Sequence, residues 1–224
     1  MTFAQKILNF YRALDASKLH VPEDITILDP FPENHIRKIT DQFFKKFYND
    51  NNPRTFIFGI NPGRFGAGVT GITFTDPVRL EQKCGISNNL DKRQELSSVF
   101  IYEMIERYGG VEKFYSQFYL TALSPLGFMK DGRNMNYYDD PELKNAVKPF
   151  IINSILDQIG FGYNRKVAIC LGEGENFKFF TRLNSEHQFF ETIIPLAHPR
   201  FIMQYRLRKK EEYIQKYLEV LKKV

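Results

Sequence analysis

The sequence predicts an α/β fold, a three-layer α/β/α sandwich around a four-stranded, mostly parallel sheet. Three observations predict it: four short apolar segments that read as strands, helical periodicity between them, and a loop of unusual composition after each strand. Strands that alternate with helices favour a mostly parallel sheet covered on both faces. The 224 residues fit one hydrophobic core and show no repeat or linker, which predicts a single domain over 1–224.

The first half of the chain predicts two helices, a strand, a third helix and a second strand. Apolar residues recur at helical spacing in MTFAQKILNFYRAL and in NHIRKITDQFFKKFY, which predicts the first two helices. The apolar segment RTFIFGI then reads as a buried strand. LSSVFIYEMIERYG has helical periodicity and stops at Gly109 and Gly110, and SQFYLTAL is the second predicted strand.

The second half predicts a long helix, two further strands and a helical tail. PELKNAVKPFIINSILDQIG has a helical pattern, and we expect a bend at Pro149 because proline removes a backbone hydrogen bond. RKVAICLG and FFETIIPLAH are the third and fourth predicted strands. The tail from Arg206 to Val224 has the pattern of a basic amphipathic helix.

The loops after the four strands carry the unusual chemistry of the chain. They read GINPGRFG, LSPLGF, LGEGEN and AHPRF. In open α/β sheets, ligands bind beyond the carboxyl ends of the strands. We therefore expect all four loops to gather at one end of the sheet and to form a site there.

Composition restricts the function classes. Hydrophobic residues make up 43% and charged residues 25%, as in ordinary globular proteins, and no apolar run approaches the roughly 18 residues of a membrane span. The first residues contain no secretory signal pattern, and two cysteines and four scattered histidines predict no metal site and no cofactor. We expect a cytoplasmic protein. The net charge of +5 permits a polyanionic partner without requiring one.

Several familiar motifs are excluded by their spacing. GINPGRFG is not a phosphate-binding P-loop because no Gly-Lys-Ser/Thr follows, and LGEGEN lacks the third glycine of a dinucleotide fingerprint. The segment LSPLG is not Gly-x-Ser-x-Gly, so Ser124 is not expected to be a hydrolase nucleophile. Cys170 lies inside an apolar strand and is expected in the core.

The end of the last strand and the segment after it remain candidates. His198 would lie at the carboxyl end of the sheet, where a structural and an active role are equally open. The segment RFIMQYRLRKK places an apolar tip between Arg200 and Arg206. An apolar tip flanked by cations suits insertion between bases while the cations hold phosphates.

These residues resemble a known family, the single-strand-selective monofunctional uracil-DNA glycosylases of the uracil-DNA glycosylase superfamily, and in particular a bacterial branch. The resemblance covers nearly the whole chain. It is carried by G-I-N-P-G-x-F-G-x-x-x-T-G-x-x-F from Gly59 to Phe74, by Ser-Pro-Leu from Ser124, by Gly-Arg-Asn from Gly132, and by His198-Pro199.

The resemblance implies roles for individual residues. Asn61 would hold the attacking water, and His198 would contact the uracil oxygen that gains charge. Phe74 would stack on the base, and Gly63 would lie near its 5-position. The implied base-binding set is Gly63, Phe65, Phe74, Ser124, Asn134 and Asn136, and the implied DNA-binding wedge is Arg200, Met203, Gln204 and Arg206.

Two positions depart from the family pattern. Ala122 stands where the family has an Asn that reads the uracil edge, so backbone groups, Asn134 or Asn136 are expected to read it instead. Arg200 stands where a Ser usually follows the His-Pro pair.

The implied activity is hydrolysis of the bond between uracil, or a 5-modified uracil, and deoxyribose in DNA. A monomer acting on single- and double-stranded DNA would leave an abasic site. Two alternatives stay open: a damage-binding protein with weak turnover, and a hydrolase of free nucleosides or nucleotides.

Overall fold

The computed structural model describes residues 1–224, apart from the side chain of Tyr163. Its strands are β1 (Thr26–Leu28), β2 (Arg54–Gly59), β3 (Phe118–Ala122), β4 (Gly127–Lys130), β5 (Arg133–Met135), β6 (Tyr163–Leu171) and β7 (Thr192–Leu196). Its α-helices are α1 (Phe3–Ala13), α2 (Asn34–Tyr48), α3 (Ala67–Thr70), α4 (Pro77–Gln82), α5 (Leu96–Tyr108), α6 (Val111–Gln117), α7 (Pro141–Ile159), α8 (Glu175–His187), α9 (Pro199–Tyr205) and α10 (Lys210–Leu221).

The central sheet has the strand order β3-β2-β6-β7, and every neighbouring pair is parallel. The predicted four-stranded α/β architecture is therefore confirmed. Each residue of β2 is buried because strands lie on both sides of it and helices cover both faces. Gly59 pairs with Ala122 at the carboxyl end, so the first two loops leave the sheet side by side.

A second, antiparallel sheet has the order β1-β4-β5. The sequence analysis missed it because strands of three and four residues are too short to show alternation. Gly127 of β4 packs directly on the backbone carbonyl of Pro62, and a Cβ at that position would collide with this oxygen. The small sheet thereby supports the loop that follows β2.

The helices begin and end close to their predicted bounds. Thr2 caps α1 through a reciprocal capping box with Gln5, and Gly109, at a φ of +125°, ends α5. Helix α7 continues through Pro149. The segment after His198, predicted as a loop, is the short helix α9, because Pro199 occupies its first position, where a missing N–H costs nothing.

A buried guanidinium joins the amino-terminal helices to the central sheet. Arg54 is 1% exposed, and its guanidinium carbon lies 4.8 Å and 4.9 Å from the ring centres of Phe3 and Tyr48. Its Nε donates to the Tyr115 carbonyl at 2.9 Å, and its terminal nitrogens donate to the two Asp50 carboxylate oxygens at 2.7 Å and 2.8 Å. Paired in this way, the charge stabilises the packing of α1, α2 and α6 on β2.

No helix within the described part of the chain is long and apolar enough to cross a membrane.

Replacing Arg54 by Met is expected to lower the free energy of unfolding by about 3 kcal/mol, because Asp50 and three backbone carbonyls lose a donor. Urea unfolding measures this change. The matched control is Arg12→Met, which breaks an exposed ion pair with Asp41 and is expected to cost about 0.5 kcal/mol. Equal losses for the two variants would contradict a structural role of Arg54.

Candidate functional site

One cavity opens at the carboxyl end of the central sheet. Its walls come from the loops after β2 and β7, from the end of β3 at Ala122, from β5, and from the start of α5. The predicted site residues that line it are Asn61, Gly63, Phe74, Asn134, Asn136, His198 and Arg200. The loop after β6 lines a neighbouring depression, which shares His198 with the first. Two of the four predicted loops, GINPGRFG and AHPRF, therefore meet in the main cavity, LGEGEN lines the neighbouring depression, and no described residue of LSPLGF lines the main cavity.

Phe74 forms one wall of the cavity in an unusual backbone conformation. Its φ is +56°, a left-handed value that is uncommon for a non-glycine residue, and its side chain is 7% exposed. The ring lies so close to the backbone of Gly59 that a Cβ there would come within 2.8 Å of Phe74 Cζ. Glycine at position 59 thus lets a flat aromatic surface lie against the end of β2.

The Asn61 side chain ties the loop after β2 to the segment after β5. Its Nδ2 donates to the Met135 carbonyl at 3.0 Å, and its Oδ1 accepts from the backbone N–H of Tyr137 at 3.0 Å. An amide oxygen has two lone pairs, so Oδ1 keeps one acceptor position after this bond. Asn61 is therefore a structural bridge and retains one acceptor position for a further donor.

His198 is the N-cap residue of α9, and the capping hydrogen bond fixes the orientation of its imidazole ring. Its Nδ1 accepts from the backbone N–H of Arg200 at 3.2 Å. Burial, aided by the positive charge of Arg200, lowers the pKa of His198 to about 4. The ring is therefore neutral at pH 7, and because Nδ1 is an acceptor the proton lies on Nε2. The Phe74 and His198 ring centres are 5.8 Å apart.

Glu95 also lines the cavity, and the sequence analysis did not single it out. Its carboxylate lies against the backbone of the glycine-rich loop: a Cβ on Gly63 would approach Oε1 to 2.6 Å, and one on Gly66 would collide with Oε2. Glu95 occupies the N-cap position of α5 without making a capping bond. A Glu at that position, where shorter polar residues are favoured, was the available signal.

Asn134 and Asn136 both line the cavity, but they differ in which of their hydrogen-bonding groups are already occupied. Asn134 Oδ1 accepts from the backbone N–H of Arg64 at 3.1 Å, which leaves its amino group as a donor. Asn136 belongs to a turn, where its backbone N–H and its Nδ2 donate to Asp139 at 2.7 Å and 3.1 Å. Ala122, in place of the family's Asn, lies in the cavity wall and adds no hydrogen bond from its side chain.

Phe65 and Ser124 are not among the described residues that line the cavity. The Phe65 ring lies beneath two guanidinium groups, those of Arg64 at 4.6 Å and Arg93 at 5.3 Å. Ser124 is fully buried, and its Oγ donates to the Leu126 carbonyl at 2.7 Å. In this structure Ser124 stabilises the loop after β3.

The predicted wedge residues lie on or next to α9, outside the cavity except for Arg200. Gln204 and Arg206 are exposed, whereas Met203 is partly buried against the core. The large exposed apolar side chains of this region are Phe201, Tyr205 and Leu207. Tyr205 is 67% exposed, so an apolar tip exists here, although Met203 contributes little to it.

Of three comparisons with known proteins, two found matches. A family model described as the uracil DNA glycosylase superfamily matches residues 45–222. The crystal structure of wild-type Pedobacter heparinus SMUG2 superposes with a TM-score of 0.95, at 45% sequence identity, over 99% of this chain and 97% of that one. A search of curated proteins returned no match.

Replacing Gly59 by Ala is expected to lower the free energy of unfolding by about 2 kcal/mol, because the new methyl group overlaps the Phe74 ring. Gly174→Ala is the control, since a Cβ there meets nothing within 4 Å, and we expect it to cost about 0.5 kcal/mol. Chemical unfolding of both variants provides the measurement. A Gly59 variant as stable as the control would show that the ring moves aside freely.

Proposed function

This chain belongs to the uracil-DNA glycosylase superfamily, and we propose that it hydrolyses the N-glycosidic bond of uracil, or of a 5-modified uracil, in DNA. Family membership indicates a DNA glycosylase-type hydrolase that binds DNA and acts in base excision repair. It also confirms the resemblance predicted from the GINPG, Ser-Pro-Leu and His-Pro motifs. The particular base and the leaving of an abasic site belong to the proposal.

The observation that carries the proposal is the meeting of Asn61, Phe74 and His198 in one cavity. Phe74 offers a flat surface on which a flipped base can stack. His198 offers a neutral Nε2–H donor, and Asn61 offers an amide oxygen with one free acceptor position. A reaction in which a planar leaving group gains negative charge while a water attacks the sugar needs this combination.

The reaction would proceed by early departure of the base. The bond between N1 of uracil and C1′ of the sugar breaks, its electron pair stays on the base, and a sugar cation is left. His198 donates a hydrogen bond from Nε2 to the uracil oxygen that becomes negative, and a donor aimed at developing charge is strongest in a desolvated site.

Water then adds to C1′ through its oxygen, and the proton that it loses passes to the departed uracil anion. Asn61 orients this water through Oδ1 but does not take its proton, because an amide is not basic near neutral pH. Among the described residues that line the cavity there is no lysine, so an imine with the sugar has no amine to form it. This agrees with a monofunctional enzyme that leaves an abasic site.

Helix α9 and the turn after it would meet the DNA. Arg206 stacks over the exposed Phe201 ring at 5.2 Å, and Tyr205 and Leu207 extend the apolar surface. Apolar side chains beside arginines can fill a vacated base position while the cations contact phosphates. A hydrolase of free nucleosides has no use for such a surface.

A uracil-containing oligonucleotide provides the direct test. We expect alkali-labile abasic sites at uracil after incubation, none in a matched cytosine oligonucleotide, and little release of base from free deoxyuridine. Release from deoxyuridine alone would favour the nucleoside hydrolase. Tight binding of uracil DNA without any excision would favour the damage-binding protein. The observation behind this alternative is Ala122, whose apolar side chain in the cavity wall cannot hydrogen-bond a base.

Replacing His198 by Ala is expected to slow single-turnover uracil excision by about 100-fold or more, the usual effect of losing one oxyanion donor. Binding of uracil DNA is expected to weaken much less, because the hydrogen bond strengthens as charge develops. His35→Ala, at an exposed position of α2, is the matched control. Equal losses in binding and in excision would reduce His198 to a positioning residue.

Replacing Gln204 and Tyr205 by Ala is expected to slow excision from duplex DNA about tenfold, because the gap left by the flipped base is no longer filled. Excision from single strands is expected to change less than about threefold, since no duplex stack has to be opened. Leu156→Ala removes an exposed apolar side chain of α7 and serves as the control. The same loss on both substrates would argue against a wedge at α9.

A further inference from the structure

The Glu95 carboxylate lines the cavity and has no part in the proposed reaction. It makes no hydrogen bond or ion pair with any other described residue, although its side chain is partly buried. Its oxygens face the backbone of Gly63 and Gly66 on the wall that also carries Asn134. A carboxyl group left without a partner in a binding cavity is a candidate for direct contact with the ligand.

The position of Glu95 is fixed from behind by Asp76. The backbone N–H of Glu95 donates to Asp76 Oδ2 at 2.9 Å, and the backbone N–H of Asp76 donates to Ser98 Oγ at 3.1 Å. Asp76 is fully buried and also caps α4, with its Oδ1 accepting from the Arg79 N–H at 2.8 Å. The start of α5 is therefore held firmly, and the side chain of Glu95 is aimed at the cavity.

The surroundings of Glu95 favour its neutral acid form. Burial first, and then the negative charge of Asp76, raise the pKa of Glu95 to about 7, against the opposing charge of Arg200. His198 is the other titratable group of this wall region, and with a pKa of about 4 it stays neutral over the same range. A base that enters the cavity displaces water and favours the neutral carboxyl further.

A neutral carboxylic acid supplies one donor and one acceptor. The side-chain amide of an Asn also supplies a donor and an acceptor, and Ala122, which stands in place of the family's Asn, supplies neither. Asn134 adds a donor close to the Glu95 carboxyl group. A Cβ built on Gly63 would lie 2.6 Å from Glu95 Oε1 and 3.3 Å from Asn134 Nδ2, so both side chains reach the same point of the wall. Asn136 is less suited, since Asp139 already binds its amino group.

Resting on the proposed function, we propose that Glu95, as a neutral carboxylic acid, reads the edge of the flipped base together with Asn134. The Glu95 carbonyl accepts the N3–H of uracil, and the Asn134 amino group donates to O4. Cytosine presents an amino group where uracil has O4, so it faces the Asn134 donor and is disfavoured. An ionised Glu95 would also accept from N3–H, but its charge opposes the negative charge that the departing base gains.

The test compares Glu95→Gln with Glu95→Ala in single-turnover excision from uracil DNA between pH 5.5 and 9. The neutral acid is present below its pKa and is lost as pH rises through it. The wild-type excision rate is therefore expected to be highest at low pH. Above the pKa of Glu95 it is expected to decrease by about tenfold for each pH unit.

The glutamine variant keeps a carbonyl acceptor for N3–H and carries no charge, so we expect activity within about threefold of the wild-type maximum and no decline across this pH range. The alanine variant is expected to lose about tenfold or more at every pH, because N3–H of the base loses its acceptor. Glu112→Gln, at an exposed position of α6, is the matched control. Thermal unfolding of each variant identifies any loss of fold.

Three outcomes overturn the inference. If Glu95→Gln is as inactive as Glu95→Ala, the carboxylate acts as a proton acceptor and does not read the base. If both variants retain wild-type rates and the wild-type pH profile, Glu95 does not contact the base at all. If the variants lose activity but the wild-type profile rises with pH, the ionised form is the active one. Absence of excision by the wild-type protein counts instead against the proposed function.

Discussion

The side-chain amide of Asn61 connects the two sheets of the molecule, and the shape of the cavity depends on it. On one side it extends the loop that leaves β2, in the centre of the parallel sheet. On the other it binds the backbone of Met135 and Tyr137, at the end of the small antiparallel sheet. Because β5 is held there, Asn134 reaches the cavity wall. A substitution at Asn61 is therefore expected to change the wall geometry as well as the proposed water binding, and the two effects need separate measurements.

In the proposed reaction, the cavity would stabilise developing negative charge with neutral groups. His198 is uncharged near neutral pH, Asn61 and Asn134 carry amides, and the nearest cation, Arg200, is exposed at the mouth. A buried cation would have to be desolvated before any base arrived, whereas neutral dipoles cost little to bury when they are hydrogen-bonded. Such dipoles are already oriented when charge appears, which is the condition for effective electrostatic stabilisation.

The sequence predicts the central sheet well and the cavity only in part. Buried parallel strands give continuous apolar runs, so segments such as RTFIFGI and RKVAICLG are visible directly. Strands β1, β4 and β5 are short and depend on tertiary contacts that no local pattern records. Glu95 lies far along the chain from the glycine-rich loop and is brought to it by Asp76. The family and the fold are confirmed, while the roles of individual residues remain predictions.

The imidazole of His198 performs two tasks with its two nitrogens. Nδ1 accepts the first free N–H of α9, and Nε2 carries the hydrogen of the neutral ring. A proton added to Nδ1 would destroy the acceptor and set two N–H groups against each other, so protonation and fraying of this helix are thermodynamically linked. The exposed aromatic surface lies on the same helix. If α9 contacts DNA as proposed, any displacement of this helix also moves the His198 ring, so contact with the strand and the orientation of the proposed donor change together.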